Sequence, residues 1–425
     1  MNVKTAGLRI LLTNNTLGPR AGSEMYVRDL AVALMRRGHF PVAYSTVLGE
    51  VAAELRAATV PVIDDLHSLN VPPDVIHGQH HLDAMTAMLQ FPQVPAIYVC
   101  HGWLPWEERP PCFPSIRRYV AVDDLCRERL LTTPGIDAAR VDLLYNFVDL
   151  DRFRLRGPLP AVPGSALIFS NSANDGSFAA TIREACQAFG IQRISVAGLA
   201  SSNSLAQPEK VLGGYDIVFA KARCALESMA VGCATVIADV AGLGGMVDTG
   251  NMQRLRRLNF GVRTMQAGPI TSDGVLAALR RYNPSDARHV TEWIRSEADM
   301  SAAVDRLLAI YASAMEAPPT AGESDTHSLL ADASAYLKGL APVIKQRGDS
   351  EMHAQQADEA LRIAESRSLE AARALAVAAT GLADTRAQLA RANGELQTIH
   401  RSRAWRAITR YRSLRAGLFP PRAPK

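Results

Sequence analysis

Between residues 8 and 148, short runs of Val, Ile and Leu alternate with longer segments whose apolar positions recur every three to four residues. Short apolar runs bounded by turn formers are buried strands and a 3.6-residue recurrence is a helix, so the alternation predicts a parallel sheet covered by helices. Strands are expected at residues 7–13, 41–44, 60–63, 75–76, 96–100, 119–122 and 141–145, with helices at 25–37 and 123–131. In the first helix Val27, Leu30, Leu34 and Met35 fall on one face, and Gly38 supplies a stop. Residues 158–164, with Pro158, Pro160 and Pro163, break the pattern as a linker. A second alternating unit follows, with strands at 166–170, 194–198, 216–219 and 235–238, helices at 178–189 and 224–231, and a further apolar-faced helix at 301–315.

Beyond Pro318 and Pro319 the period changes. Leu361, Ser368, Leu375, Leu382, Leu389 and Leu396 recur every seven residues, and Ala364, Ala371, Ala378, Thr385, Ala392 and Ile399 stand three further on. A seven-residue repeat with an apolar 3–4 spacing is a coiled-coil seam, which buries itself by pairing with a second helix. A homodimer, docking onto a partner, or a single helix folded back on the globular part would each serve. The last stretch, 401–425, holds eight Arg or Lys and no Asp or Glu, with Trp405, Ile408, Tyr411 and Leu414 on one helical stripe and Leu418 and Phe419 after it. That composition suits an interfacial helix on an anionic membrane surface, or a stripe packed on a protein partner.

Composition bounds these readings. Apolar residues make up 48% and charged residues 21% of 425, the balance of a folded globular chain of two or three structural units. The net charge of +4 is too small to argue for nucleic acid, and the basic signal is confined to the tail. Six scattered cysteines form no Cys-x-x-Cys pair, the N-terminal apolar run at 8–12 is shorter than a signal peptide's, and no stretch nears the roughly 20 apolar residues that span a bilayer. These features predict a cytoplasmic protein whose membrane contact, if it has one, is peripheral on the inner face.

Candidate chemistry gathers at strand ends. Gly22 and Ser23 lead straight into a helix, where free backbone N–H groups and the positive end of the dipole favour a phosphate; an N-cap serine without a ligand reads the same way. His77 and His101 close predicted strands, where ligands of open parallel sheets bind. A zinc site from His77, His80, His81 and His101 fits poorly, because His80 and His81 are adjacent and no Cys or carboxylate stands at a usual ligand interval, so no metal is assigned. Lys221 and Arg223 flank the start of a helix that carries Glu227, and the strand after it leads into a loop with Gly242, Leu243, Gly244 and Gly245. The cations could neutralise a diphosphate and Glu227 could accept from vicinal hydroxyls. A solvated basic pair and a surface glutamate are the alternative.

Taken in order, these segments resemble the retaining glycosyltransferases of the family-4 type. The likeness covers roughly residues 8–316. It rests on Gly22-Ser23-Glu24 before a helix ending Arg36-Arg37-Gly38-His39, then Pro73-Asp74-Val75-Ile76-His77, Val99-Cys100-His101-Gly102 and Asn146-Phe147-Val148-Asp149, with Phe153 following. The most specific segment is Ala225-Leu226-Glu227-Ser228-Met229-Ala230-Val231-Gly232, with Gly242-Leu243 after the next strand. The resemblance implies an α/β fold of two Rossmann-like domains facing across a cleft (GT-B), with the coiled-coil tail as an addition. The domains are expected at 1–157 on the acceptor side and 164–316 for the nucleotide-sugar, then a linker and short helix at 317–349, the coiled coil at 350–400 and the basic tail at 401–425.

By the same resemblance the protein is a metal-independent, retaining transferase with a nucleotide-sugar as co-substrate and no resident cofactor; a tail on the membrane surface would suit a glycan or lipid-linked acceptor of the cell envelope. His101, Lys221 and Glu227 would be catalytic. Gly22, Ser23, Lys221, Arg223, Glu227, Gly242 and Leu243 would hold the donor, with Glu227 on its ribose. The helix at 301–315 would pack back on the first domain, and Asn146 and Asp149 would lie between domains. The sequence departs from the family in two places. Phe219 stands where the first glutamate of the paired motif belongs, and 170–174 holds Ser and Asn where an Arg and Lys are usual. A scaffold that has lost turnover, or another sugar-nucleotide enzyme such as an epimerase, are the competing readings.

Overall fold

The computed structural model describes residues 7–174, 176–265, 268–318 and 326–418. Residues 319–325 of the linker expected within 317–349, and the tail from Phe419 onward, lie outside them. In chain order the first half runs β1 (Arg9–Thr13), α1 (Gly22–Arg36), β2 (Phe40–Tyr44), α2 (Glu50–Ala57), β3 (Val62–Ile63), β4 (Val75–Gln79), α3 (His81–Gln90), β5 (Ala96–Cys100), β6 (Ile116–Ala121), α4 (Asp124–Thr132) and β7 (Val141–Leu143). The seven strands form one sheet in the order β3-β2-β1-β4-β5-β6-β7, all parallel. The chain reverses direction across the sheet between β1 and β4, which leaves a crevice beyond their C-terminal ends, where α1 begins.

The second half repeats the plan with β8 (Ser165–Phe169), α5 (Phe178–Phe189), β9 (Arg193–Ala197), α6 (Pro208–Val211), β10 (Ile217–Ala220), α7 (Ala222–Val231), β11 (Ala234–Asp239), β12 (Gly242–Met246), α8 (Met252–Arg257), α9 (Ser272–Leu279), α10 (Pro284–Glu297) and α11 (Met300–Glu316). Its sheet order is β12-β11-β10-β8-β9, so the reversal falls between β8 and β10, where α7 begins. The glycine run at 242–245, expected as a loop, is instead an edge strand paired antiparallel with β11. Gly242 takes φ +130°, and a Cβ there would sit 2.7 Å from the carbonyl oxygens of Met265 and Gly268, so the glycines permit close backbone packing. The two domains of the GT-B plan are thus both present.

Two short crossings join the domains. Val148 N–H donates to the Ala298 carbonyl at 2.8 Å and Met300 N–H to the Val148 carbonyl at 3.0 Å, so they run side by side. The cores divide at this point and not at the proline-rich linker: Phe147 is buried with the first core, Val148 and Phe153 with the second. After the second crossing α11 returns to the first domain and sets Val304, Leu307, Ile310 and Tyr311 into its core. At about 1.5–3 kcal/mol for each large apolar side chain fully buried, that stripe fixes the helix to the domain.

The described residues from Leu337 onward form a separate unit. The helix α12 (Thr326–Arg401) runs on into it without a break at 350, and α13 (Arg403–Leu418) follows, its start marked by the Ser402 Oγ accepting from Trp405 N–H at 3.1 Å. Every residue from 344 to 401 is exposed, including the heptad leucines Leu361, Leu375, Leu382, Leu389 and Leu396 at 52–73%. No described helix is long and apolar enough to cross a membrane.

Candidate functional site

The C-terminal ends of both sheets open onto one interdomain cleft of about 400 Å³. From the first domain it is lined by Gly22, Ser23, Tyr26, His101, Gly102, Trp103, Glu108, Asn146 and Phe147, and from the second by Lys221, Ala222, Arg223, Asn259, Gly261, Val262 and Arg263. Two helices start at its wall, α1 at Gly22 and α7 at Ala222, and no side chain caps either N-terminus. A Cβ added to Gly22 meets nothing within 4 Å, so the missing side chain leaves the first amides of α1 open to the cleft.

Of the eight residues expected at the site, the cleft brings together Gly22, Ser23, His101, Lys221 and Arg223, while Glu227, Gly242 and Leu243 do not line it. Ser23 turns its hydroxyl onto the buried Glu24 at 3.1 Å, and burial raises the Glu24 carboxyl above its usual range. His101 sits beyond β5 with its ring edge-on to Tyr26, centroids 4.6 Å apart. Its backbone N–H donates to Glu108 at 3.0 Å, its ring Nε2 has no partner, and burial brings its pKa down to about 4, so the imidazole is neutral. The other histidines serve the framework. His80 receives the Asn15 N–H on Nδ1 at 3.1 Å and so presents its proton on Nε2 to Glu108 at 3.3 Å. His77 and His81 each meet a tyrosine hydroxyl at 2.7 Å, of Tyr311 and Tyr336. Among the described residues no three His, Cys, Asp or Glu side chains form a metal-holding group.

The cations expected to meet a diphosphate are already engaged. Lys221 Nζ lies 2.5 Å from the buried Asp239. Arg223 is clasped between Asp29 of α1 and Glu227, the latter at 2.7 Å. Burial raises Glu227, with Arg223 offsetting only part. For Asp29 the balance reverses: burial would raise it, but Arg223, Arg152 and Arg28 outweigh burial and hold it below the usual range. Glu227 is therefore turned to Arg223 and not into the open cleft. Phe219 is fully buried in the second domain's core.

Sequence reasoning missed the turn at 258–263. Ala222 (φ 48°), Asn259 (φ 52°) and Phe260 (φ 52°) are all left-handed, a conformation costing a non-glycine residue about 1–3 kcal/mol. The strain is held by burial of the Phe260 ring and by the Ala222 N–H bond to the Phe260 carbonyl at 2.8 Å. The turn carries Arg263 across the cleft to Trp103, guanidinium carbon 4.5 Å from the ring centroid, a contact worth about 0.5–1 kcal/mol at an exposed site. Asn-Phe-Gly at 259–261 has no periodicity and gave no signal beyond a possible turn.

Residues 20–152 match the family model Glycosyltransferase Family 4. Comparison with curated proteins gave no match. Among solved structures, a glycosyltransferase from Rickettsia africae ESF-5 superposes with a TM-score of 0.52 at 13% identity, over 73% of this chain and 100% of that one. HepE from Anabaena, solved in complex with UDP and glucose, superposes with a TM-score of 0.51 at 13% identity, over 72% of this chain and 100% of its own. At such identities the likeness to these structures is one of fold, and it covers both Rossmann-like domains. Residues 20–152 are thus similar to the Glycosyltransferase Family 4 model, and the two domains together have the GT-B fold.

Proposed function

We propose that the chain moves a sugar from a nucleoside-diphosphate donor, bound in the cleft, to a glycan or lipid-linked acceptor of the cell envelope. The observation that carries this reading is the pair of helix N-termini, α1 and α7, both without side-chain caps, on the wall of one cleft that His101 also lines. Free N–H groups at a helix start suit phosphate oxygens, and they meet charge as it grows without having to reorient. In the reaction the bond from the anomeric carbon to the diphosphate oxygen breaks. The acceptor oxygen bonds to that carbon, and its proton passes to the departing diphosphate. His101, neutral and beside the cleft, is placed to accept from a sugar hydroxyl. Lys221 acts near the phosphates with Asp239 holding it, and Glu227 acts through Arg223. HepE, of the same fold, was solved with UDP and glucose, which supports a nucleotide-sugar donor.

Retention of configuration and independence of a metal belong to the same proposal. So do a cytoplasmic location, a homodimer through 350–400 and contact of 401–425 with an anionic membrane face. Calorimetry of UDP-, GDP- and dTDP-sugars and their free diphosphates against the full chain, repeated with Gly22→Val, tests the donor reading. Binding of one nucleotide that is lost when a Val side chain occupies the cleft at α1 supports it. No binding across the panel, with the fold intact by circular dichroism, favours a scaffold without turnover, to which the buried Phe219 and the clasped Glu227 also point.

A further inference from the structure

We propose that Arg263 is the side chain that grips the phosphates of the donor, an inference that rests on the donor reading above. Three cationic side chains line the cleft, Lys221, Arg223 and Arg263. For Lys221 to turn to a ligand it must leave Asp239, which is 1% exposed; Arg223 would have to abandon both Asp29 and Glu227, which are 4% exposed each. Asp239 and Glu227 would each lose the cation that pairs them, and Asp29 one of its three arginines; stripping a buried carboxylate of its cation is among the costliest changes a protein interior can undergo, so an incoming phosphate cannot readily recruit either one. Arg263 is different. It is exposed, it has no carboxylate partner among the described residues, and its guanidinium rests on the face of the neutral Trp103 ring. A guanidinium exchanges that contact for a phosphate with a gain, because a charge-assisted, two-pronged bond outweighs an exposed cation–π contact.

The position fits as well. The Asn259-Phe260 turn that carries Arg263 is tied to the first residue of α7 by the Ala222 bond, so the guanidinium works beside the α7 amides. Trp103 lies two residues beyond His101 on the opposite domain. Without a ligand, then, Arg263 rests across the cleft on Trp103; with one, it leaves the ring for the phosphates. It takes over the charge usually supplied after the second domain's first strand, where this chain has Ser170-Asn171-Ser172-Ala173-Asn174.

The test is calorimetry of UDP, GDP and dTDP against the full chain and its variants. Arg263→Ala is expected to weaken binding of the diphosphate by about tenfold to a hundredfold, the worth of one charge-assisted contact, with the ligand-free thermal midpoint lowered by no more than about 4 °C. Arg263→Lys restores the charge but not the fork and recovers part of the loss. Trp103→Leu separates ligand grip from a structural latch: it keeps affinity within about threefold if the ring is only a resting place, whereas a latch weakens equally in both variants. Unchanged affinity in Arg263→Ala while the parent chain binds overturns the inference and leaves the donor reading standing. Equal weakening in Trp103→Leu and Arg263→Ala overturns it too. If the parent chain binds none of the three, the donor reading fails and this one with it.

Discussion

At the scale of single residues, the polar groups behind the cleft are held neutral or paired by burial. His77 is fully buried, bonded through Nδ1 to Tyr311, and burial brings its pKa down to about 3, with His101 adding to the shift. A histidine that stays neutral in the native state but charges near pH 6.5 when unfolded makes the unfolded chain bind more protons between those values. Its contribution is therefore constant above about pH 6.5 and turns increasingly destabilising as the pH falls toward 3. His77→Gln, which can still meet the tyrosine hydroxyl but cannot titrate, should flatten the slope of unfolding free energy against pH by about 1.4 kcal/mol per unit between pH 4 and 6. Urea titrations across that range measure it, and an unchanged slope would show that His77 is solvated or charged in the native protein.

At the scale of elements, α1 and α7 are joined by a buried ion cluster that spans the two domains. Asp29 of α1, 4% exposed, meets Arg28 and Arg152, each at 2.8 Å, and Arg223 of α7. Asp29→Asn keeps the shape but leaves these arginines short of a counter-charge, and should cost about 3–5 kcal/mol. The exposed Arg288–Glu292 pair on α10 offers the contrast: Glu292→Gln should change stability by less than about 0.5 kcal/mol. Chemical denaturation of both variants decides whether burial sets the scale. This cluster also shows where sequence reading stops. The strand and helix alternation, the start of α1 at Gly22 and the end of α7 at Gly232 are written locally, in periodicity and turn residues. That Arg223 would be claimed by Asp29, 194 positions away, depends on how the domains close, and no local pattern carries it. The same holds for Arg263 and Trp103, which meet only across the cleft, and for Gly242, whose run reads as a loop until β11 supplies a strand to pair with.

At the scale of the whole molecule, the long helix sets a problem that the globular fold does not solve. Leu375, Leu382, Leu389 and Leu396 project from α12 at 52–73% exposure, on a stripe with Ala378, Thr385, Ala392 and Ile399. An isolated helix gains little from propensity alone and usually owes its stability to an apolar face packed on something else. The homodimer proposed above would supply that partner. In a parallel, in-register pair the seven-residue repeat sets leucine against leucine, while small residues in the alternate layers let the backbones come close. The flanking positions then place Glu395 of one copy opposite His400 of the other and Gln388 opposite Asn393, with no like charges facing in those two layers. The full chain should therefore sediment as a dimer at micromolar concentration. Leu382→Asp with Leu389→Asp should yield a folded monomer, because each exchange sets two like charges in a layer that would otherwise exclude water. Arg391→Ala, on the outer face away from both the seam and its flanking positions, serves as the control. If the parent chain is already a monomer, the stripe awaits a different partner; if it stays a dimer with both leucines replaced, the contact between copies lies elsewhere on the molecule.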